Sequence, residues 1–372
     1  MKFTCSKKEL VEALNAATHA VAVKPQMPIQ SGIYLKADGS TLELQANNFS
    51  LGIVAKIPVN TEEPGEIVVV GKFFQEIVKK LSGDTVTISY QSGESVVSIQ
   101  SESAAFTLLA MNADDFPKVK SQDVLNSFKI KTSTFKNLIR KTSFSCASND
   151  DARPIFTGCC LEINGNSVTM AATNAHRLAV MKETVPENLG EMKFIIPAVT
   201  LKDLARTADS SAPDSFVTVD CSAKNIAFTF DNVFMTSRLI EGQFPPYDRV
   251  IPPSSEIFAT IKVAEFAAAV ERVSIISKET EHNTIRFIFS NNGIDISSTS
   301  PEVGKVVEHV DAQIDGGELD ISFNVQYISE ILKVLDSETC RFAMTKPLAP
   351  VDVRETDNDN FIYIVTPVRT SN

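Results

Sequence analysis

Three stretches decide the fold: Ile67-Val68-Val69-Val70 running into Phe74–Leu81, Phe194-Ile195-Ile196-Pro197 running into Leu201–Ala208, and Ile321-Ser322-Phe323-Asn324 running into Ile328–Leu335. Each reads as a buried strand that feeds an amphipathic helix. They begin 127 residues apart (194 − 67 and 321 − 194). Within the helices the apolar positions coincide at Phe74/Leu201/Ile328, Ile77/Leu204/Ile331, Val78/Ala205/Leu332 and Leu81/Ala208/Leu335. That i, i+3, i+4, i+7 spacing marks the inner face of a short helix.

Two further trios share the period. A short strand and a helix open each unit: Phe3 leads to Leu10 and Leu14, Phe128 to Phe135 and Ile139, Phe258 to Phe266 and Val270. Late strands begin at Phe106, Phe234 and Phe361, and Phe116-Pro117 and Phe244-Pro245 follow the first two. Between the markers, Thr41–Ala46, Val86–Ser89, Ser167–Met170, Ile226–Phe230 and Ile285–Phe289 alternate apolar and polar residues, the pattern of half-buried antiparallel strands. Asn164-Gly165-Asn166 and Asn291-Asn292-Gly293 read as hairpin tips. The chain is therefore expected to be α+β, a triplicated unit of two helices on antiparallel strands, with domains 1–121, 122–253 and 254–372.

Length and composition agree with several ordinary domains. At 372 residues the chain is too long for one core, and 43% apolar with 22% charged residues excludes wholesale disorder. No apolar run reaches the ~20 residues of a membrane span, and Met1–Glu9 is not patterned as a secretory signal, so a cytoplasmic protein is expected. Six cysteines (Cys5, Cys146, Cys159, Cys160, Cys221, Cys340) form no Cys-x-x-Cys pair and read as reduced, buried thiols.

Net charge is −11, which opposes indiscriminate binding to polyanions. The helical segments Lys7–Ala17, Lys72–Leu81, Phe135–Thr142, Leu201–Arg206, Lys262–Glu279 and Tyr327–Leu335 nevertheless hold 14 bases and 8 acids, net +6, which leaves −17 for the remainder. Helix propensity by itself favours such a split. The alternative is a helical surface that faces a polyanion, with an acidic exterior elsewhere. No aromatics interleave with these bases, so contacts to nucleic acid would go to phosphates and ignore sequence.

Catalytic chemistry is hard to find. Of His19, His176, His282 and His309, only His176, in Ala172-Thr173-Asn174-Ala175-His176-Arg177-Leu178-Ala179, has a loaded context, and it lacks the nucleophile and orienting carboxylate of a catalytic base. Zinc-ligand spacing is absent, and vicinal Cys159-Cys160 read as strand residues on opposite faces. Gly65–Phe73 has five residues between its glycines and Phe73 where a phosphate loop needs Ser or Thr. Asp357–Asn360 lacks the Gly and Glu of a calcium loop and reads as a hairpin tip. No Gly-x-Ser-x-Gly elbow occurs. The expectation is a protein without an enzymatic site, cofactor or metal.

Several motifs recur in order along the chain: Met1-Lys2-Phe3-Thr4, Ala172–Ala179, Ser237-Arg238-Leu239-Ile240-Glu241-Gly242-Gln243-Phe244-Pro245-Pro246-Tyr247, Phe323-Asn324-Val325-Gln326-Tyr327 and Thr366-Pro367-Val368-Arg369. From Met1 to Arg369 the chain resembles the bacterial DNA polymerase III beta subunit, the sliding clamp. The resemblance implies a head-to-tail homodimer, a ring of six domains with helices lining the hole and sheets outside. Such a ring encircles duplex DNA, slides, and tethers the replicative polymerase, which raises its effective concentration at the primer end.

It also implies a partner-peptide pocket between the second and third domains, from Phe156, Thr173, Ala175, His176, Arg177, Leu178, Pro245, Arg249, Val250, Pro350, Ile364, Val365, Pro367, Val368 and Arg369. An apolar floor would take Leu and Phe anchors, with His176, Arg177 and Arg249 donating to polar groups. The helix-borne Lys79, Lys80, Lys136, Arg140, Lys141, Lys202 and Arg206 would face DNA, and the resemblance adds Lys24, Asn149 and Arg153. Ala198-Val199-Thr200 stands where relatives often carry a base, which weakens one such contact. Ring closure would pair Phe106 and Leu108 with Ile275 and Ile276 of a second copy. Ser103, Ala104 and Ala105, facing only Glu302, reduce the electrostatic support that some relatives have there. Expected partners are double-stranded DNA, a second copy, the polymerase, an ATP-driven clamp loader and other proteins carrying the peptide. Competing readings are a ring-forming interaction scaffold not loaded on DNA and an enzyme using His176.

Overall fold

The computed structural model describes residues 1–120, 123–149, 152–212, 214–280 and 283–369. His282 and the tail at 370–372 lie outside the described residues. Among the described residues six α-helices form: α1 Lys7–Thr18, α2 Gly71–Lys80, α3 Thr132–Thr142, α4 Ala198–Thr207, α5 Val263–Ser277 and α6 Val325–Leu332. All six expected helices are present. Several start two or three residues earlier than their apolar faces do, because the preceding strand runs straight into the first turn. Capping fixes some of these starts: the Ser6 hydroxyl accepts from the Glu9 N–H at 3.5 Å, and Asn324 Oδ1 from the Gln326 N–H at 2.8 Å.

The repeat is visible in strand register. Gly65–Val70, Glu191–Pro197 and Leu319–Asn324 each end at a helix, and their last residues pair as Val70 with Gly32, Pro197 with Gly158 and Asn324 with Thr284. The partners recur every 126 residues (158 − 32 and 284 − 158). Strands also form at Thr41–Asn47, Thr85–Ser89, Ser167–Thr173, Asn225–Phe230 and Thr284–Ser290, where alternation predicts them. The tips at Asn164–Asn166 and Asn291–Gly293 are hairpin turns, with Gly165 at φ +60° and Gly293 at φ +116°.

Contacts gather the chain into two compact units, Met1–Phe135 with Val199–Leu239, and Lys136–Ala198 with Ile240–Asn372. Strand pairing explains the grouping. In the first unit, Val233–Arg238 pairs antiparallel with Leu51–Pro58 (Ser237 opposite Leu51), and the strands join into one thirteen-stranded sheet. In the second, Arg177–Thr184 pairs with Phe361–Val365 (Arg177 opposite Val365) within a nine-stranded sheet, beside a four-stranded one. Each junction thus draws part of the middle repeat to a neighbour.

Helices α1 and α2 pack together on the first unit's sheet and bury Leu10, Leu14, Phe74 and Val78. In the second unit α5 and α6 bury Phe266, Val270, Ile328 and Ile331 over a cluster of Phe287, Phe323 and Phe342. All six cysteines are buried and unbridged. Burial, helped by the nearby carboxylates of Glu9 and Glu355, pushes the Cys5 and Cys340 thiols up to about 12.

Candidate partner-peptide pocket and basic surface

The Thr173–Arg177 turn builds one wall of the pocket. Ala175 sits at φ +74°, a conformation side chains rarely adopt. Side-chain oxygens hold it there: Thr173 Oγ1 accepts from the Ala175 N–H at 3.1 Å, and Asn174 Oδ1 from the N–H groups of His176 and Arg177 at 3.0 and 3.1 Å. Thr366 then clamps the turn from the neighbouring strand, its N–H and hydroxyl both donating to the His176 carbonyl at 2.9 and 2.8 Å.

Beside this turn lies a cavity of about 220 Å³ lined by Phe156, Thr173, Ala175, His176, Arg177, Leu178, Pro245, Tyr247, Val250, Ile364 and Thr366. Its floor belongs to an apolar cluster of Cys160, Ala171, Leu178, Val180, Ile195, Phe244 and Ile364. Tyr247 stands edge-on to Phe244 at 6.2 Å. Greasy depth with few polar groups suits aliphatic or aromatic side chains of a short segment.

Nine of the fifteen pocket residues expected from the resemblance line this cavity; Arg249, Pro350, Val365, Pro367, Val368 and Arg369 do not. Val365 alternates with Ile364 along its strand and points to the other face of the sheet, fully buried. Val368 is held away by its N–H donating to the Ser322 carbonyl at 2.8 Å. The expected pocket set includes neither Tyr247 nor Thr366, and both line the cavity. The Phe244-Pro245-Pro246-Tyr247 run held a signal for Tyr247, two residues from the expected Pro245, whereas only strand pairing reveals Thr366.

Arg177 differs from its expected role as an open donor. It is buried: Nη1 donates to Glu330 Oε2, and the guanidinium lies 4.5 Å from the Tyr327 ring centre and 5.6 Å from that of Phe144. Its Nε is buried without a hydrogen-bond partner among the described residues. The Arg177 side chain is therefore a strut under the pocket wall as well as part of its lining.

The cations divide in the same way. Lys24, Lys79, Lys80, Arg140, Arg153, Lys202 and Arg206 are exposed, as is Asn149, while Lys136 is half-buried. Arg140 is tied to Asp336 at 2.5 Å, and Arg153 covers the Phe156 ring at 4.8 Å. Lys141 corrects the sequence expectation outright. Its side chain is 1% exposed and salt-bridged to Glu355 at 2.7 Å and Asp336 at 3.0 Å, so it cannot reach a phosphate. With the observed boundaries the helices carry eleven bases and seven acids, net +4, the excess lying in α2, α3 and α4; α5 and α6 are each −1. At the expected ring contact, Phe106 and Ile275 are 42% and 67% exposed apolar side chains.

Three family models match the chain in succession: the DNA polymerase III beta subunit N-terminal domain over residues 1–120, its central domain over 129–246 and its C-terminal domain over 248–369. The beta sliding clamp of Bacillus subtilis is 33% identical and that of Halalkalibacterium halodurans 30%, each match covering 100% of both chains. Among solved structures, the Bacillus subtilis DNA polymerase sliding clamp superposes with a TM-score of 0.91 at 32% identity, again over 100% of both chains. A sliding clamp from Pseudomonas aeruginosa bound to griselimycin gives 0.90 at 29% identity over 100% of both. The chain belongs to the DNA polymerase III beta subunit family, the beta sliding clamps that act as processivity factors of DNA replication.

Proposed function

We propose that two copies of the chain close head to tail into a ring of six domains, built from 1–121, 122–253 and 254–372, that encircles duplex DNA. In this ring the helices line the hole and the sheets face outward. Lys24, Lys79, Lys80, Lys136, Arg140, Asn149, Arg153, Lys202 and Arg206 make loose, sequence-independent phosphate contacts, and topological linkage rather than affinity retains the clamp. Phe106 and Leu108 of one copy meet Ile275 and Ile276 of the other. The protein performs no catalysis of its own, needs no cofactor, and works in the cytoplasm. Among the described residues no helix is long and apolar enough to cross a membrane.

The cavity beside Thr173–Arg177 receives the short peptide by which the replicative polymerase, the clamp loader and other partners attach. The observation that carries this reading is the apolar cavity lined by Leu178 and Ile364 of two paired strands, Arg177–Thr184 and Phe361–Val365, in a chain that matches all three family domains. Primer extension by the cognate polymerase and loader tests it. Products should lengthen when the chain is added, and unchanged lengths would reject the reading.

A further inference from the structure

The first unit contains a second groove, of about 790 Å³, beside the turn Asn47–Leu51. This turn repeats the pocket turn of the second unit 126 residues earlier. Phe49, at φ +70°, stands where Ala175 stands, at φ +74°. Asn47 Oδ1 accepts from the Phe49 N–H at 2.8 Å, and Asn48 Oδ1 from the Ser50 and Leu51 N–H groups at 3.1 and 2.9 Å. The lining, however, is chemically different. Lys120, Lys224 and Arg238 are exposed there, and none of them joins an ion pair among the described residues. Among the described lining residues Asp123 is the one acid. Phe49 and Leu125, 45% and 67% exposed, present apolar surface to the same groove.

The groove is preformed. Asn47 Nδ2 donates to the Pro117 carbonyl at 2.9 Å and the Val119 N–H to Gln45 Oε1 at 2.8 Å, which holds the chain before Lys120 against the turn. The Arg238 N–H donates to the Ser50 carbonyl at 3.2 Å, and the Leu239 N–H to the Lys224 carbonyl at 2.8 Å. Three cations without acid partners, on a chain of net charge −11, form a local positive field that attracts carboxylates.

We propose that this groove is a second docking site, for an extended acidic segment of a partner protein in which carboxylates alternate with apolar side chains. Carboxylates meet Lys120, Lys224 and Arg238, and the apolar side chains meet Phe49 and Leu125. Phe49 is the single aromatic side chain among the described lining residues, too few to stack successive bases of a nucleic-acid strand, and with the aliphatic Leu125 beside it the groove favours a peptide. The site stands independently of the peptide pocket in the second unit.

The chain has no tryptophan, so Phe49→Trp places a single, selectively excitable tryptophan in the groove. A short synthetic peptide of Asp, Glu and Leu should shift its emission saturably, and Lys224→Glu with Arg238→Glu should weaken binding at least about tenfold. Added salt should weaken it too, while Val250→Asp in the other pocket should leave it unchanged. Calorimetry with the unsubstituted chain gives the same reading if Phe49→Trp misfolds. No saturable binding, binding indifferent to the charge reversals, or tighter binding of an oligothymidylate of similar length would each overturn the proposal.

Discussion

Lys141 Nζ donates to Glu355 Oε1 at 2.7 Å, and both side chains are 1% exposed. Glu355 also accepts from the Asn358 side chain at 2.9 Å, and Lys141 reaches Asp336 at 3.0 Å. The last turn of α3 is thereby pinned to the hairpin that ends at Glu355. Removing one member leaves a charge buried without its partner. Lys141→Ala should therefore cost about 3–5 kcal/mol of stability. Urea unfolding of the variant checks the value. Lys141→Met combined with Glu355→Leu should lose much less, because no uncompensated charge remains.

Val250 stands at the rim of the apolar cavity, about half exposed, with no part in the Arg177 strut. Val250→Asp should weaken binding of a peptide with Leu and Phe anchors by about 2 kcal/mol, roughly thirtyfold, without lowering the melting temperature. Fluorescence anisotropy of the labelled peptide measures it. Arg177→Ala should lower stability as well as binding, since it strips Glu330 of its cation and leaves only the Gln326 amide as donor.

Phe106→Asp or Ile275→Asp should each yield monomers by analytical ultracentrifugation at concentrations where the unsubstituted chain is dimeric. Both side chains lie exposed on the single chain, so neither substitution disturbs a core.

His309 Nδ1 lies 2.7 Å from Asp295 Oδ1, with Asp311 at 3.9 Å from Nε2. The hydrogen bond and charge of Asp295 raise the His309 pKa above its ordinary value of 6.5. A raised folded value means the stabilisation is complete below about 6.5 and is lost as pH rises through the folded pKa. An NMR titration should find the imidazole protonated at higher pH than in Asp295→Asn.

The triplication was legible because burial enforces a period: Phe74, Leu201 and Ile328 must face a core, so their spacing survives in the sequence. Helix starts were less so, since Gly71 has no side chain and Ala198 only a methyl group to mark the inner face. At the site, Leu178, Pro245 and Ile364 could be read from their motifs. Lys141 could not, because a lysine next to the exposed Arg140 looks alike on a charge count, and only the return of Glu355 from far along the chain buries it. Thr366 was obscured for the same reason: its contact with His176 spans two strands distant in sequence.

Retention on DNA tests the central claim most directly. The clamp, placed on nicked circular DNA by its loader and ATP, should remain bound through gel filtration in high salt and be released when the circle is cut once. Equal release from circular and linear DNA would contradict linkage by encirclement.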